Sequence, residues 1–405
     1  MLRPISLFLL MLLIFANRYN GDSDTLHGVW LCICLFAIPC VAILVAGTLK
    51  RTPYSTVVAT NAILLSFGVA IVVFSWQTAV RTFIGIPILL DDVLLFLPVL
   101  FWLLVLWWVT APIDNKTSYV FHRLRLDVLL LGIPLFLLIG VSKTASFYNV
   151  SDDWMHLVDI LAFLILLGYA PQFIAWILPA KRMRQNELLE QLVAIGKKAK
   201  LHNVKFYVWN THNRIMNALA FGMAFQSKTI VLTDKLIASL TLKELHAVVA
   251  HELAHHKYWH VPFFVVTGAS VIIWSTKIFG IFDVESVNSI AFPLQMACIV
   301  GAVILVSRQF EEQADAYAAV DQSKQEGSAV ITEDGVRAMC SALTAIADAH
   351  SIPLDKNDPM HRSISARQKN LVSIVGMECT QLPINKKVLW VKVTLLATLI
   401  VGILA

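Results

Sequence analysis

Charge is scarce in this chain. Of its 405 residues only 15% are Asp, Glu, Lys or Arg, while 58% are hydrophobic, more apolar side chain than one soluble core of this size can hide. Cysteine is sparse as well. Cys32, Cys34, Cys40 and Cys298 fall in apolar runs and Cys340 and Cys379 in polar ones, so neither a disulfide framework nor a cysteine zinc site is indicated. Interleaved basic and aromatic residues are missing, which excludes a nucleic-acid partner; the net charge of +5 follows membrane topology instead. Repeats and low-complexity tracts are absent too, so the chain is neither a solenoid nor a disordered linker protein.

What the chain has is long apolar runs. A bilayer core needs about 20 apolar residues in a helix. On that measure spans fall near 4–17, 28–48, 56–76, 93–112, 126–142, 157–178, 261–282, 289–306 and 388–405. The first is short and follows Arg3, so a cleaved signal peptide is its alternative reading. Lys392 must snorkel out of the last, and Trp102, Trp107 and Trp108 are expected to meet lipid or the interface. Basic residues resist translocation. Lys50, Arg51, Lys116, Arg123 and Arg125 therefore mark inside turns, and the alternate loops, with one basic residue each (Arg18, Arg81, Lys143), lie outside. Both large polar stretches then face the cytoplasm. Whether the membrane is a bacterial inner membrane or that of a eukaryotic organelle stays open.

The resulting organisation is 1–179, about six membrane helices; 180–260, a catalytic segment; 261–306, a two-span hairpin; 307–387, a second catalytic segment; and 388–405, a last span. Within 181–200 apolar positions recur at helical spacing. Three β-rich runs at 204–209, 215–225 and 229–233 predict a small antiparallel sheet. Thr241 with Glu244 three residues on predicts a capping box opening a helix over 242–258. Further helices are expected over 308–320 and 336–350. The fold class is a polytopic α-helical membrane protein with a small α+β zincin-like catalytic unit assembled from two cytosolic segments.

His251-Glu252-Leu253-Ala254-His255 carries the chemistry. Four residues make slightly more than one helical turn, so both imidazoles leave one face, spaced to chelate a single zinc ion, and Glu252 beside them can take a proton from zinc-bound water. A carboxylate or His ligand is still needed on the same side of the membrane. Glu311, Glu312 and Asp315 qualify, because two spans separate them from His255. Glu311 and Asp315 are four apart and share a face, whereas Glu312 points about 100° away. Glu311 is assigned to the metal and Asp315 to hydrogen-bonding a ligand imidazole, with Arg308 beside it.

These residues, with Asn217-Ala218-Leu219-Ala220-Phe221-Gly222, Glu244 to His255, His260, and Ser307 to Ala316, resemble the integral-membrane gluzincin peptidases that include the heat-shock protease HtpX and the type-I CAAX prenyl endopeptidases. The resemblance covers roughly 180–375 and implies zinc, one ion per chain, on His251, His255 and Glu311, with catalysis by Glu252. It further implies an edge strand at Asn217 and Ala218 that pairs with extended substrate, and roles for His361 and Arg367 in binding the substrate carbonyl or shaping the site. The reading is a zinc metalloendopeptidase acting on membrane-associated or membrane polypeptides. A membrane sensor-transducer protease is the alternative, though the outside loops are too short for a sensor domain; a transporter, suggested by Asp159 and Lys277 within spans, ranks below it. The oligomeric state is not written in the sequence.

Overall fold

The computed structural model describes residues 28–48, 53–84, 90–112, 116–222, 228–281, 285–358 and 360–404. The span at 4–17 and the Lys50/Arg51 turn lie outside the described residues. Among the described residues six helices are long and apolar enough to cross a membrane, or up to eight if each of two bent helix pairs counts as one span. The chain divides into two compact units, Met1–Leu166 and Leu167–Ala405.

The first unit is helical: α1 (Gly28–Thr48), α2 (Pro53–Val72), α3 (Trp76–Ile84), α4 (Leu90–Thr110), α5 (Lys116–Leu124) and α6 (Leu130–Phe147). Apolar residues face one another here as well as facing out. Ile63, Ile71, Leu103, Leu106 and Trp107 are fully buried. Trp107 therefore departs from its expected place in lipid: it is in the packed interior, with the Arg123 guanidinium 5.3 Å from its ring. Arg81 and Lys143 are likewise not free loop cations. Each sits on a helix and pairs with Asp91, and Lys143 Nζ also lies 2.6 Å from Asp92. Two carboxylates this deeply buried require such partners.

Helix α7 (Asp152–Ile177) leads into the second unit, which begins with β1 (Ala180–Arg182) and α8 (Glu187–Lys198). The helix predicted over 181–200 thus starts later. Asn186 sets its beginning by accepting the Leu189 N–H, and the residues before it pair with β2 (Lys205–Trp209). Strands β3 (Ala218–Phe221) and β4 (Thr229–Thr233) complete a four-stranded sheet of order β1-β2-β4-β3. It is mixed, not antiparallel, because β2 pairs parallel with β4 while β3 crosses to the far edge and returns as an antiparallel partner of β4.

After the short α9 (Asp234–Ser239) comes α10 (Leu242–Lys257), opened by the predicted capping box: Thr241 Oγ1 takes the Glu244 N–H and Glu244 Oε2 takes the Thr241 N–H. Ala247, Ala250 and Ala254 are fully buried on α10, as are Ala314 and Ala318 on α12 (Glu285–Gln325). Small side chains on both helices let the two backbones approach closely. Between them α11 (His260–Ile281) runs out, and α12 returns as one continuous helix that carries the span and the polar turns after it. Helices α13 (Glu333–Ala349) and α14 (Ile364–Ser373) pack on α12, and α15 (Pro383–Leu404) packs on α11 and α12.

Candidate metal centre

On α10 the imidazoles of His251 and His255 turn to the same side, their Nε2 atoms 3.3 Å apart. Glu311, presented by α12, brings Oε2 to 3.6 Å from His251 Nε2 and Oε1 to 3.6 Å from His255 Nε2. Tetrahedral bonds of 2.0–2.1 Å around zinc place neighbouring ligand atoms about 3.3–3.4 Å apart. The three donors match that spacing and are of the type zinc takes, so the residues fit the metal. Glu312, one residue on, points elsewhere and pairs with Arg362.

Each imidazole is backed on its other nitrogen. Nδ1 of His251 lies 2.9 Å from Asp315 Oδ1, off the ring N–H axis, and Arg367 grips Asp315 with Nε and Nη2 at 2.8 and 2.6 Å. On the second imidazole, Nδ1 of His255 is 3.0 Å from His260 Nδ1. His260 in turn reaches Gln313 Oε1 at 2.9 Å, and Gln313 donates to Asn385 at 2.8 Å. The sequence assigns no role to Gln313, which lies within the Ser307–Ala316 motif, or to Asn385, which lies outside it. Neither is marked by a periodicity, and each finds its partner on a distant element.

The electrostatics are those of a dry, charged site. Burial lowers His251, but Asp315, Glu311 and Glu252 outweigh it and hold its pKa above the ordinary value. Burial takes His255 down to about 4, so its ring is neutral at pH 7. Burial pushes the Glu252 carboxyl up to about 7, and the Glu311 carboxylate adds to the rise against His251, His361 and Arg367. His256 is turned away from the centre. It is buried and bonds to the Thr229 carbonyl, tying α10 to the sheet.

His361 places Nδ1 3.1 Å from Glu311 Oε2. Arg367 spends its fork on Asp315, with Nη2 3.7 Å from Glu311 Oε2, so it shapes the site through carboxylates. A cavity of about 190 Å³ opens beside Glu311, with Arg308, Glu312, His361 and Arg362 on its charged side and Ile374 and Pro383 on its apolar side. Ala218 opens β3 at the sheet's edge, with Asn217 just before it, and β3 pairs with β4 alone among the described residues. Lys277 is exposed on α11 and Asp159 half-buried on α7; neither is part of this cluster.

Residues 180–332 match the sequence model of Peptidase family M48. The chain is 30% identical over 147 residues to a protease HtpX homolog of Helicobacter pylori, a match covering 33% of this chain and 44% of that protein. To a CAAX prenyl protease 1 homolog of Arabidopsis thaliana it is 32% identical over 155 residues, covering 33% of this chain and 36% of that protein. It thus spans less than half the length of each of these curated relatives. Its fold is similar to the crystal structure of S. mikatae Ste24p, with a TM-score of 0.51 at 16% identity, covering 87% of this chain and all of that one. The matches bear out the resemblance to membrane metalloendopeptidases drawn from the motifs, and zinc is implied by the matched family.

Proposed function

We propose that the chain is a zinc-dependent endopeptidase of the membrane, with His251, His255 and Glu311 as the metal ligands and Glu252 as general base. The observation that carries this is the triangle of donor atoms at 3.3, 3.6 and 3.6 Å, with Glu252 next to His251 on the same helix. A zinc ion held there supplies Lewis acidity, which makes water nucleophilic near neutral pH and polarises a peptide carbonyl.

The chain's own groups do the rest. Glu252 takes the proton from the attacking water and passes it to the leaving amine, a role that needs a pKa near the working pH. Asp315 and the Arg367 fork hold the His251 ring, while His260 holds that of His255. His361, held beside Glu311, is the donor assigned to the developing oxyanion. Substrate enters as an extended segment along β3, so backbone is read more than side chain. Its class is a membrane-associated polypeptide, cleaved on the cytoplasmic side.

The test is cleavage of a bilayer-anchored reporter peptide, with and without a prenyl group, by the full chain in nanodiscs. Cleavage that a chelator stops, zinc restores and Glu252→Gln abolishes supports the reading. Cleavage that survives both the chelator and the substitution contradicts it.

A further inference from the structure

Helix α10 ends at Tyr258, and α11 starts again at His260. Between them Trp259 has φ of +58°, a left-handed conformation that is strained for a bulky L-residue. That turn swings His260 back toward the ring it supports. Something must hold it, and the carbonyl of Tyr258, at the negative end of α10, accepts a hydrogen bond from Lys392 Nζ. The ammonium also lies 5.0 Å from the centre of the Phe263 ring and 5.4 Å from that of Phe310. Phe310 itself stacks flat on His260, centroids 4.3 Å apart and planes 5° from parallel. The head of Lys392 is thus taken up by a helix end and two rings.

Asn385 is seven residues before Lys392 on α15, two helical turns away and so on the same face. It closes the second route to the same ring. With Nε2 of His255 given to the metal, its Nδ1–H donates to His260 Nδ1. His260 then donates from Nε2 to Gln313 Oε1, and Gln313 from Nε2 to Asn385 Oδ1. Every donor meets an acceptor in one direction, and such a chain strengthens each of its members. The outer half of α15 is seated on α11: Trp274 Nε1 donates to the Thr398 carbonyl at 2.9 Å, and a Cβ at Gly402 would come within 2.9 Å of Ile273.

We infer that Lys392 and Asn385 are positioning residues through which the last membrane helix fixes the orientation of His255. The inference rests on the zinc reading proposed above, for it concerns how firmly one ligand is held. Lys392 has no call on this place as a membrane residue, since an apolar side chain would suit the span better. Its presence follows from the turn that it caps.

The experiment compares wild type, Lys392→Met, Lys392→Arg and Asn385→Leu as full chains in nanodiscs. It reads the rate of zinc release to a chelator, kcat and KM on a cleaved peptide, and melting of the metal-free protein. The expected result is zinc release faster by about 10-fold to 100-fold in Lys392→Met and Asn385→Leu, kcat lowered about 10-fold with KM unchanged, and metal-free melting as in wild type. Lys392→Arg should recover most of the loss. Wild-type zinc release in either apolar variant overturns the inference, as does a loss of metal-free melting that accounts for the zinc loss and is not recovered by arginine. If Lys392→Met does not fold, Asn385→Leu decides alone. A wild-type chain that holds no zinc defeats the underlying reading instead, and is told apart by that first measurement.

Discussion

The side-chain oxygen of Asn217 accepts the backbone N–H of Ala218 at 2.9 Å. Asn217 turns its own N–H and C=O inward, to Thr233 on β4. Strand alternation then directs the Ala218 N–H to the open side of β3, where the neighbouring amide covers it in the absence of substrate.

Ala218→Pro removes that donor without touching the β4 ladder. Peptide cleavage should fall by about 10-fold, the worth of one hydrogen bond of roughly 1–1.5 kcal/mol, with zinc content and melting unchanged. Parallel assays of cleavage, metal and melting check this. Unchanged cleavage, or joint loss of fold and activity, would remove the support for substrate pairing at this edge.

Asp315 sits between Arg367 and His251, so it both neutralises the guanidinium and orients the ring. Asp315→Ala should weaken zinc binding by about 10-fold to 100-fold, measured by competition with a chelator of known affinity. It also takes from the buried Arg367 the carboxylate that meets both prongs of its fork, leaving only the longer contact to Glu311, so a loss of melting temperature should accompany it. Arg367→Lys cannot reproduce the two-pronged contact and should show a smaller loss of the same kind.

The local part of this site is legible in the sequence because helices repeat every 3.6 residues. Four-residue spacing alone puts His251 with His255 and Glu311 with Asp315, and the capping box at Thr241 sets the start of α10. Span parity brings α10 and α12 to one side. What does not show is whatever depends on chain returning from afar. The parallel pairing of β2 with β4 is invisible to alternation, which reports faces and not partners. Short β1 is masked by the helical pattern that follows it. Trp107 and Lys143 look lipid-facing or loop-bound because apolar composition cannot tell a helix's buried face from its lipid face. Gln313, Asn385 and Lys392 act only through contacts that the fold creates.

Asp234 tests the acid side of the account. Burial raises its pKa, but bonds from Thr211 Oγ1 and from the backbone N–H groups of Asn213, Thr211 and Lys235 outweigh it and pull it below the usual aspartate value. A lowered folded-state pKa means that this stabilisation is complete above the unfolded value and is lost as pH falls through the folded one. Asp234→Asn should therefore melt lower than wild type at pH 7, by a margin that solvent screening holds to about 1 kcal/mol or less. The two melting curves should converge as pH drops below the ordinary aspartate range. A difference that persists undiminished in strong acid would contradict the assignment.

The distribution of Lys and Arg predicts a sidedness that can be tested. The exposed turn at Asn149 should lie outside and the exposed loop at Lys356 inside. In intact cells a membrane-impermeant thiol reagent should label Asn149→Cys and spare Lys356→Cys until the membrane is opened. The native cysteines are replaced beforehand. Labelling in the reverse order would invert the topology.

The central claim is that His251, His255 and Glu311 hold one zinc ion. Metal analysis of the purified chain tests it most directly, because it requires no knowledge of the substrate. The account predicts about one zinc per chain in wild type and in Glu252→Gln, and a sharp fall in His255→Ala and in Glu311→Ala, each of which leaves only two protein ligands. Full zinc occupancy in both of those variants, or a wild-type chain that takes up no zinc when it is supplied, would contradict it.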